Sequence, residues 1–282
     1  MPTSSIPLSQ GHTSVPLDLK ALKARQHGAW ASGDYAVVGS TLVVMAELLC
    51  EALDLRAGQR VLDVATGNGN AALAAARRSC EVVGIDYVPA LLAQGRARAA
   101  ADGLAVEFAE GDAEAIPFFG ASFDVVTSTL GAMFAPDQEQ AAGELLRVCR
   151  PGGKIGLANW TPEGFIGQLF KTIGKHVPPP SGAKSPALWG TRERLDELFE
   201  RDASSIKSAP RQFVFRYRSP EHCLEVFRTT YGPLLKTFAA LEPGEQVALR
   251  NDLMDLIGRF NRSGDGSMVV PSEYLEVVVT RR

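Results

Sequence analysis

At 282 residues, with 45% hydrophobic and 22% charged side chains, the chain has ordinary globular composition and enough length for one large domain, or one domain with a cap. A net charge of −3 gives no sequence-wide basic field, so nucleic acid is not the expected partner. The four cysteines, Cys50, Cys80, Cys149 and Cys223, stand in no metal-ligand spacing; they read as reduced, packed thiols of a cytoplasmic protein, and no metal is expected.

The opening "MPTSSIPLSQGHTSVPLDL" lacks the basic-then-apolar order of a signal peptide and reads as a frayed leader. No apolar run reaches the ~18 to 20 residues of a membrane span. From Leu19 to Asp54 the spacing of apolar residues is helical, interrupted by "HGAWASGDYAVVGS", whose three glycines predict a loop joining two helices.

After "RAG" at Arg56 to Gly58 short apolar strands alternate with alanine-rich helices. The strands are expected over Arg60 to Val64, Glu81 to Ile85, Ala105 to Ala109, Phe123 to Thr127 and Lys154 to Asn159. The helices are expected over Ala71 to Arg78, Ala90 to Ala101 and Glu139 to Cys149, and "RPGGK" at Arg150 to Lys154 reads as the turn into the fifth strand. This alternation predicts right-handed crossovers and a doubly wound α/β domain, its parallel sheet covered on both faces.

From Thr161 to Pro210 the alternation lapses. Short helical pieces around Phe165 to Ile173 and Arg192 to Glu200 flank the proline-rich "HVPPPSGAKSP", which suggests an inserted lid. "QFVFRYR" then alternates as a strand, helices are expected over Pro220 to Leu241 and Gly244 to Phe260, and "YLEVVVTRR" closes the chain as a strand. The expected organisation is therefore N-terminal helices (1–57), a core (58–160), a lid (161–210) and a C-terminal part (211–282) completing a mostly parallel seven-stranded sheet.

"VLDVATGNGN", Val61 to Asn70, occupies the first strand-to-helix turn, where such sheets bind ligands. Gly67 and Gly69 let backbone approach a ligand, and the helix start beyond them offers unpaired N–H groups. "GNGNAA" fits the dinucleotide pattern, with Asp86 at the end of the second strand for a ribose. Asp63 argues otherwise, because a carboxylate there serves a pyrophosphate poorly and a cationic group well. S-adenosylmethionine carries a sulfonium and an ammonium and no phosphate. Asp86 suits its ribose hydroxyls and Asp112, after a further strand, its adenine amino group. Plainer roles also fit: Asp63 can cap the turn, Asp86 the next helix, and Asp112 can be a loop residue.

"VLDVATGNGN", "GIDYVPALL", "EGDAEAIPF", "FDVVTSTLGAMF" and "LLRVCRPGGKIGLANW" resemble, in order and spacing, the successive motifs of class I S-adenosylmethionine-dependent methyltransferases, in particular the ubiquinone/menaquinone-biosynthesis branch. The resemblance is strong over residues 58–160 and loose elsewhere. It implies that the turn of Asp63, Ala65, Thr66, Gly67, Asn68 and Gly69 cradles the methionine moiety. By the same resemblance Asp86 takes the ribose hydroxyls, Asp112 with Ala113 faces adenine, and Thr129, Leu130 and Gly131 line the sulfonium region. Tyr35, Tyr87, Val88, Leu91, Gly111 and Phe134 complete the expected cofactor-binding set. Ala65 departs from the family's glycine at that position.

Trp30, Asp34 and Tyr35 resemble the aromatic segment that folds over the cofactor in related enzymes. Trp30, Trp160 and Phe165 are candidate walls for the acceptor. His27, His176 and His222 are candidate bases, with His176 favoured because it falls in the expected lid. "TSTLG" after the fourth strand lacks the Asn/Asp-Pro-Pro-aromatic signature of nucleobase amine methylation. The expected activity is therefore methyl transfer to oxygen or carbon of a small, hydrophobic or aromatic molecule by a monomer or homodimer. An NAD(P)-dependent oxidoreductase and a non-catalytic cofactor-binding protein remain the alternatives.

Overall fold

A computed structural model of the chain describes residues 17–282; most of the expected leader falls on residues 1–16, outside the described residues. The N-terminal part forms α1 (Leu19–Trp30), α2 (Tyr35–Gly39), a 3₁₀ turn and α3 (Val43–Leu53). The alternating region gives β1 (Arg60–Val64), α4 (Asn70–Arg77), β2 (Glu81–Asp86), α5 (Pro89–Ala101), β3 (Val106–Glu110), β4 (Phe123–Thr129), α6 (Gln138–Val148) and β5 (Cys149–Trp160). The chain continues through α7 (Phe165–His176), α8 (Arg192–Phe199), β6 (Ala203–Tyr217), α9 (Pro220–Thr230), α10 (Gly232–Ala239), α11 (Pro243–Phe260) and β7 (Met268–Arg281).

The seven strands form one sheet in the order β3-β2-β1-β4-β5-β7-β6. Strands β1 to β5 run parallel, while β7 enters antiparallel between β5 and β6. The strand order therefore reverses between β1 and β4, and the crevice outside their carboxyl ends is where such a sheet takes a ligand. Val61, Leu62 and Val64 are fully buried, as expected of a central strand covered on both faces. In α4 the run Ala71 to Ala75 is buried too, because alanines let that helix lie between α3 and the sheet.

Four local expectations need correction. Helix α1 runs through Gly28 to Trp30, so the loop is only residues 31–34; Gly33, at φ 74°, makes the turn where a Cβ would stand 2.6 Å from the Thr230 carbonyl oxygen. "RPGGK" lies inside β5 as an irregularity against β4, which lets a strand begin directly after α6. β6 begins at Ala203, nine residues before the alternation of "QFVFRYR"; as an edge strand with polar residues on both faces, and with Pro210 tolerated there, its first half carries no clean period. The helix expected over Pro220 to Leu241 breaks at Tyr231, because Pro233 has no N–H to continue it and restarts the helix in its first turn; Gly232 beside it passes so close to α1 that a Cβ would meet the Ala29 carbonyl oxygen at 1.9 Å.

A fifth correction concerns membranes. The helical stretch Tyr35–Leu53 has, by length and composition, enough apolar character to cross one. Its apolarity has a packing cause, since Met45, Ala46, Leu49, Cys50 and Leu53 are buried against α4 and β5.

Candidate active site

Beyond the carboxyl ends of β1, β2, β3 and β4 lies a cavity of about 880 Å³, counting the space where it opens to solvent. Its floor is the turn after β1. Ala65, Gly67 and Gly69 all take left-handed backbone, at φ 53°, 55° and 89°. Glycine accepts this freely, while Ala65 does so at a cost of about 1–2 kcal/mol. The opposite wall is fitted to that alanine: a Cβ on Gly131 would stand 2.7 Å from both the Cβ and the carbonyl oxygen of Ala65.

Asp63 is 2% exposed. One carboxylate oxygen accepts hydrogen bonds from the Thr66 hydroxyl (2.6 Å) and the Ala72 N–H (3.1 Å), and the other from the Thr127 hydroxyl (2.9 Å). Burial pushes its pKa up to about 6, although these hydrogen bonds oppose the rise. Asp86 accepts from the N–H groups of Gly67 and Val88, both at 2.9 Å, and burial raises its pKa too. Each acid thus braces a turn, as the plain reading expects, and also lines the cavity.

Asp112 accepts from the Glu114 N–H (2.9 Å) and from Lys23 Nζ (2.7 Å), and Lys23 also pairs with Glu114. Lys23 belongs to α1, which lies over the cavity and lines it with Lys23, Gln26 and Trp30, spaced as one helix face. Between them His27 Nε2 lies 3.0 Å from the Tyr87 carbonyl oxygen, with the two rings 5.1 Å apart. At the far end Trp30 meets Tyr35, Phe134 and Tyr231 in edge-to-face contacts at 5.6, 4.9 and 5.6 Å.

Most of the expected residues converge here: Trp30, Tyr35, Asp63, Ala65, Thr66, Gly67, Asn68, Asp86, Tyr87, Leu91, Asp112, Ala113, Thr129, Leu130, Gly131 and Phe134 all line the cavity. Gly69, Val88 and Gly111 stand just behind its walls. Gly69 caps α4, Val88 precedes α5, and Gly111 N–H donates to the Asp86 carbonyl.

His176 is a correction. Its Nε2 lies 3.0 Å from Asp252 Oδ2, tying α7 to α11, and it lines no part of the cavity. No residue of 161–210 does. Phe165 is likewise packed elsewhere, against Phe215 and Phe260. Trp160 is buried beside Phe215, outside the main cavity. Lys23, Gln26 and Glu114 were not foreseen; the helical spacing of Lys23 and Gln26 from Trp30 was the one available signal.

Two buried polar atoms on the wall have no protein partner, Asn68 Nδ2 and Thr129 Oγ1. Buried polar groups are normally paired, so both remain available to a polar ligand. Together with the glycine cradle and the acids, they fit an adenosine-linked amino acid bearing a cationic centre.

A glycine turn at the reversal point, acids after three successive strands, and an antiparallel seventh strand inserted in a mostly parallel sheet define a Rossmann-like methyltransferase fold. Residues 61–153 match the family described as "Methyltransferase domain". An uncharacterised protein of Mycobacterium tuberculosis is 41% identical over 215 residues, 75% of this chain and 78% of its own. A demethylmenaquinone methyltransferase of Deinococcus radiodurans is 41% identical over 197 residues, 67% of this chain and 76% of its own. Among solved structures, a putative methyltransferase of Bacillus halodurans superposes with a TM-score of 0.56 at 22% identity, covering 83% of this chain and 97% of that one. The chain belongs to the class I S-adenosylmethionine-dependent methyltransferases.

Proposed function

We propose that the protein transfers a methyl group from S-adenosylmethionine to oxygen or carbon of a small, hydrophobic or aromatic molecule by direct displacement. The observation that carries this reading is the convergence of Asp63, Asp86 and Asp112 on one glycine-floored cavity with two unpartnered polar atoms in its wall. Bound S-adenosylmethionine supplies a methyl group on a sulfonium whose departure leaves a neutral thioether.

In this reading the bare backbone at Gly67 and the amide of Asn68 hold the amino-acid end, close to the charge of Asp63. Asp86 holds the ribose and Asp112 the adenine amino group. Trp30, Tyr35, Leu130 and Phe134 exclude water at the transfer end, where alignment alone is worth about 7–11 kcal/mol in well-oriented systems. Their apolar character supports a hydrophobic acceptor, and the similarity to demethylmenaquinone methyltransferases supports a ring. The four buried free thiols fit a reducing, cytoplasmic setting.

Calorimetric titration with S-adenosylmethionine and S-adenosylhomocysteine tests the reading, with NAD and NADP as comparison ligands. Binding of the first pair and not the second is expected, and the reverse would refute it. An acceptor screen reporting released S-adenosylhomocysteine then separates an enzyme from a protein that only holds the cofactor.

A further inference from the structure

Strand β4 ends in three consecutive hydroxyl residues, Thr127, Ser128 and Thr129, and the fold pairs only two of them. The Thr127 hydroxyl donates to Asp63 at 2.9 Å. The Ser128 hydroxyl donates to the Val64 carbonyl oxygen at 2.7 Å and accepts from the Ala132 N–H at 2.8 Å. Thr129 Oγ1 is buried and without a protein partner, on a residue that lines the cavity. We propose that this hydroxyl orients the transferring methyl, its oxygen facing the positively charged centre of bound S-adenosylmethionine. The proposal rests on the methyltransferase reading and adds a role at the reacting atoms themselves.

The register of the sheet sets where Thr129 stands. β4 pairs with β1 as far as Thr127, opposite Asp63, and with β5 as far as Thr129, opposite Ala158. Residues two apart on a strand share a face, so Thr129 follows Thr127 toward the crevice by about 6–7 Å. On the β1 side the ladder has already ended, and on the β5 side the neighbouring side chain is an alanine methyl. The next residue, Leu130, belongs to the apolar wall with Trp30, Tyr35 and Phe134. Thr129 therefore marks the boundary between the end of the cavity near Asp63 and the apolar end where the acceptor approaches.

Chemistry decides what a hydroxyl does at that boundary. Left unpaired and buried it costs stability, and valine, of the same shape, would avoid that cost. A hydroxyl brings one donor and two lone pairs. The C–H groups of a methyl on a sulfonium are polarised and donate weakly to oxygen, so a fixed lone pair favours one direction of the methyl. A carboxylate in that place would attract the cation more strongly, but it would also be a nucleophile competing for the methyl; an alcohol that keeps its proton is a weak one. In the transfer the acceptor's electron pair forms the new bond to carbon, the carbon–sulfur pair stays on sulfur, and the acceptor's proton leaves to solvent. Thr129 forms no bond and takes no proton. Its oxygen loses its cationic partner when the charge vanishes, so it favours the cofactor over the neutral product.

Sinefungin, which carries a protonated amine where S-adenosylmethionine carries its methyl, tests this role without turnover. Calorimetric affinities for sinefungin and S-adenosylhomocysteine are compared in wild type, Thr129→Val and Thr129→Ser. Thr129→Val is expected to weaken sinefungin about tenfold, the loss of one hydrogen bond from a charged donor, and to leave S-adenosylhomocysteine within about twofold. Thr129→Ser keeps the hydroxyl and is expected to hold sinefungin within about threefold of wild type. Should Thr129→Val fail to fold, Thr129→Ala also removes the hydroxyl and is expected to show the same selective loss. Equal weakening of both ligands would make Thr129 a wall and nothing more, and unchanged sinefungin affinity without the hydroxyl would leave that hydroxyl to water. Either result, or a serine no better than valine, overturns the proposal while the cofactor reading stands. Failure of wild type to bind S-adenosylhomocysteine at all overturns the methyltransferase reading, and this role with it.

Discussion

Asp63→Asn is expected to make the protein more stable and worse at holding its ligand. The Asp63 carboxyl, 2% exposed, has its pKa raised from 3.8 to about 6 by burial, a difference worth about 3 kcal/mol between its two protonation states. The folded protein holds this proton more tightly than the unfolded chain. The associated stability is therefore complete below pH 3.8, is lost as the pH rises to about 6, and above that the ionised carboxylate stands as a constant cost. Asparagine removes the charge in nearly the same shape. Its oxygen can keep accepting from the Thr66 hydroxyl and the Ala72 N–H, and its amide can face the Thr127 hydroxyl, which then turns toward the Leu62 carbonyl oxygen 3.5 Å away. Allowing for the weaker bond at Thr127, urea unfolding at pH 8 should show a gain of about 1–3 kcal/mol. At pH 5, where most wild-type protein carries the proton, that gain should shrink by about 1 kcal/mol. Calorimetry at pH 8 should show weaker S-adenosylmethionine binding in the same variant. A variant less stable than wild type at pH 8, or a gain equal at both pH values, would refute the account of Asp63 as a charge held at a cost for a cation.

Gly131→Ala is expected to cost about 1–3 kcal/mol and to impair cofactor binding, because the new methyl meets Ala65 at 2.7 Å. Ala65→Gly should itself stabilise by about 0.5–1 kcal/mol by relieving a left-handed alanine, and in the double variant should recover part of the Gly131→Ala loss; strict additivity in thermal unfolding would contradict the contact. Lys23→Met removes a partly exposed ion pair and should change stability by less than about 1 kcal/mol, while speeding S-adenosylhomocysteine association in stopped flow; an unchanged rate would show that the Lys23 pairs do not hold α1 down. Gly232→Ala places a Cβ 1.9 Å from the Ala29 carbonyl oxygen and should unseat α1 at a cost of about 1–3 kcal/mol, visible as faster limited proteolysis within residues 19–30.

What could be foreseen from sequence follows from how local each signal is. The central strands β1, β2 and β4 announce themselves as short apolar runs buried on both faces, the edge strand β3 by its alternation in "VEFAE", and the residue leaving each strand enters the crevice whatever the rest of the fold does. β6 hides its first half because an edge strand need not alternate. In sequence Gly33 reads as an ordinary loop residue and Gly232 as the interior of one helix, although each is a place where α1 or the turn after it presses on the α9–α10 junction.

The cover of the site was the hardest part to foresee, and the reason is energetic. The proline-rich stretch looked like a lid by composition, yet α7 is anchored to α11 by His176 and Asp252, residues 76 apart in sequence whose pairing no local pattern reveals. The helix that does cover the cavity is polar, buries none of its residues fully and is held by Lys23 on two acids and by one tryptophan in a ring of aromatics. Such a helix carries little amphipathic signal because what lies beneath it is a ligand site rather than apolar core. A cover that must open for cofactor and acceptor cannot be sealed by core packing, so its weak sequence signal and its role have the same physical origin.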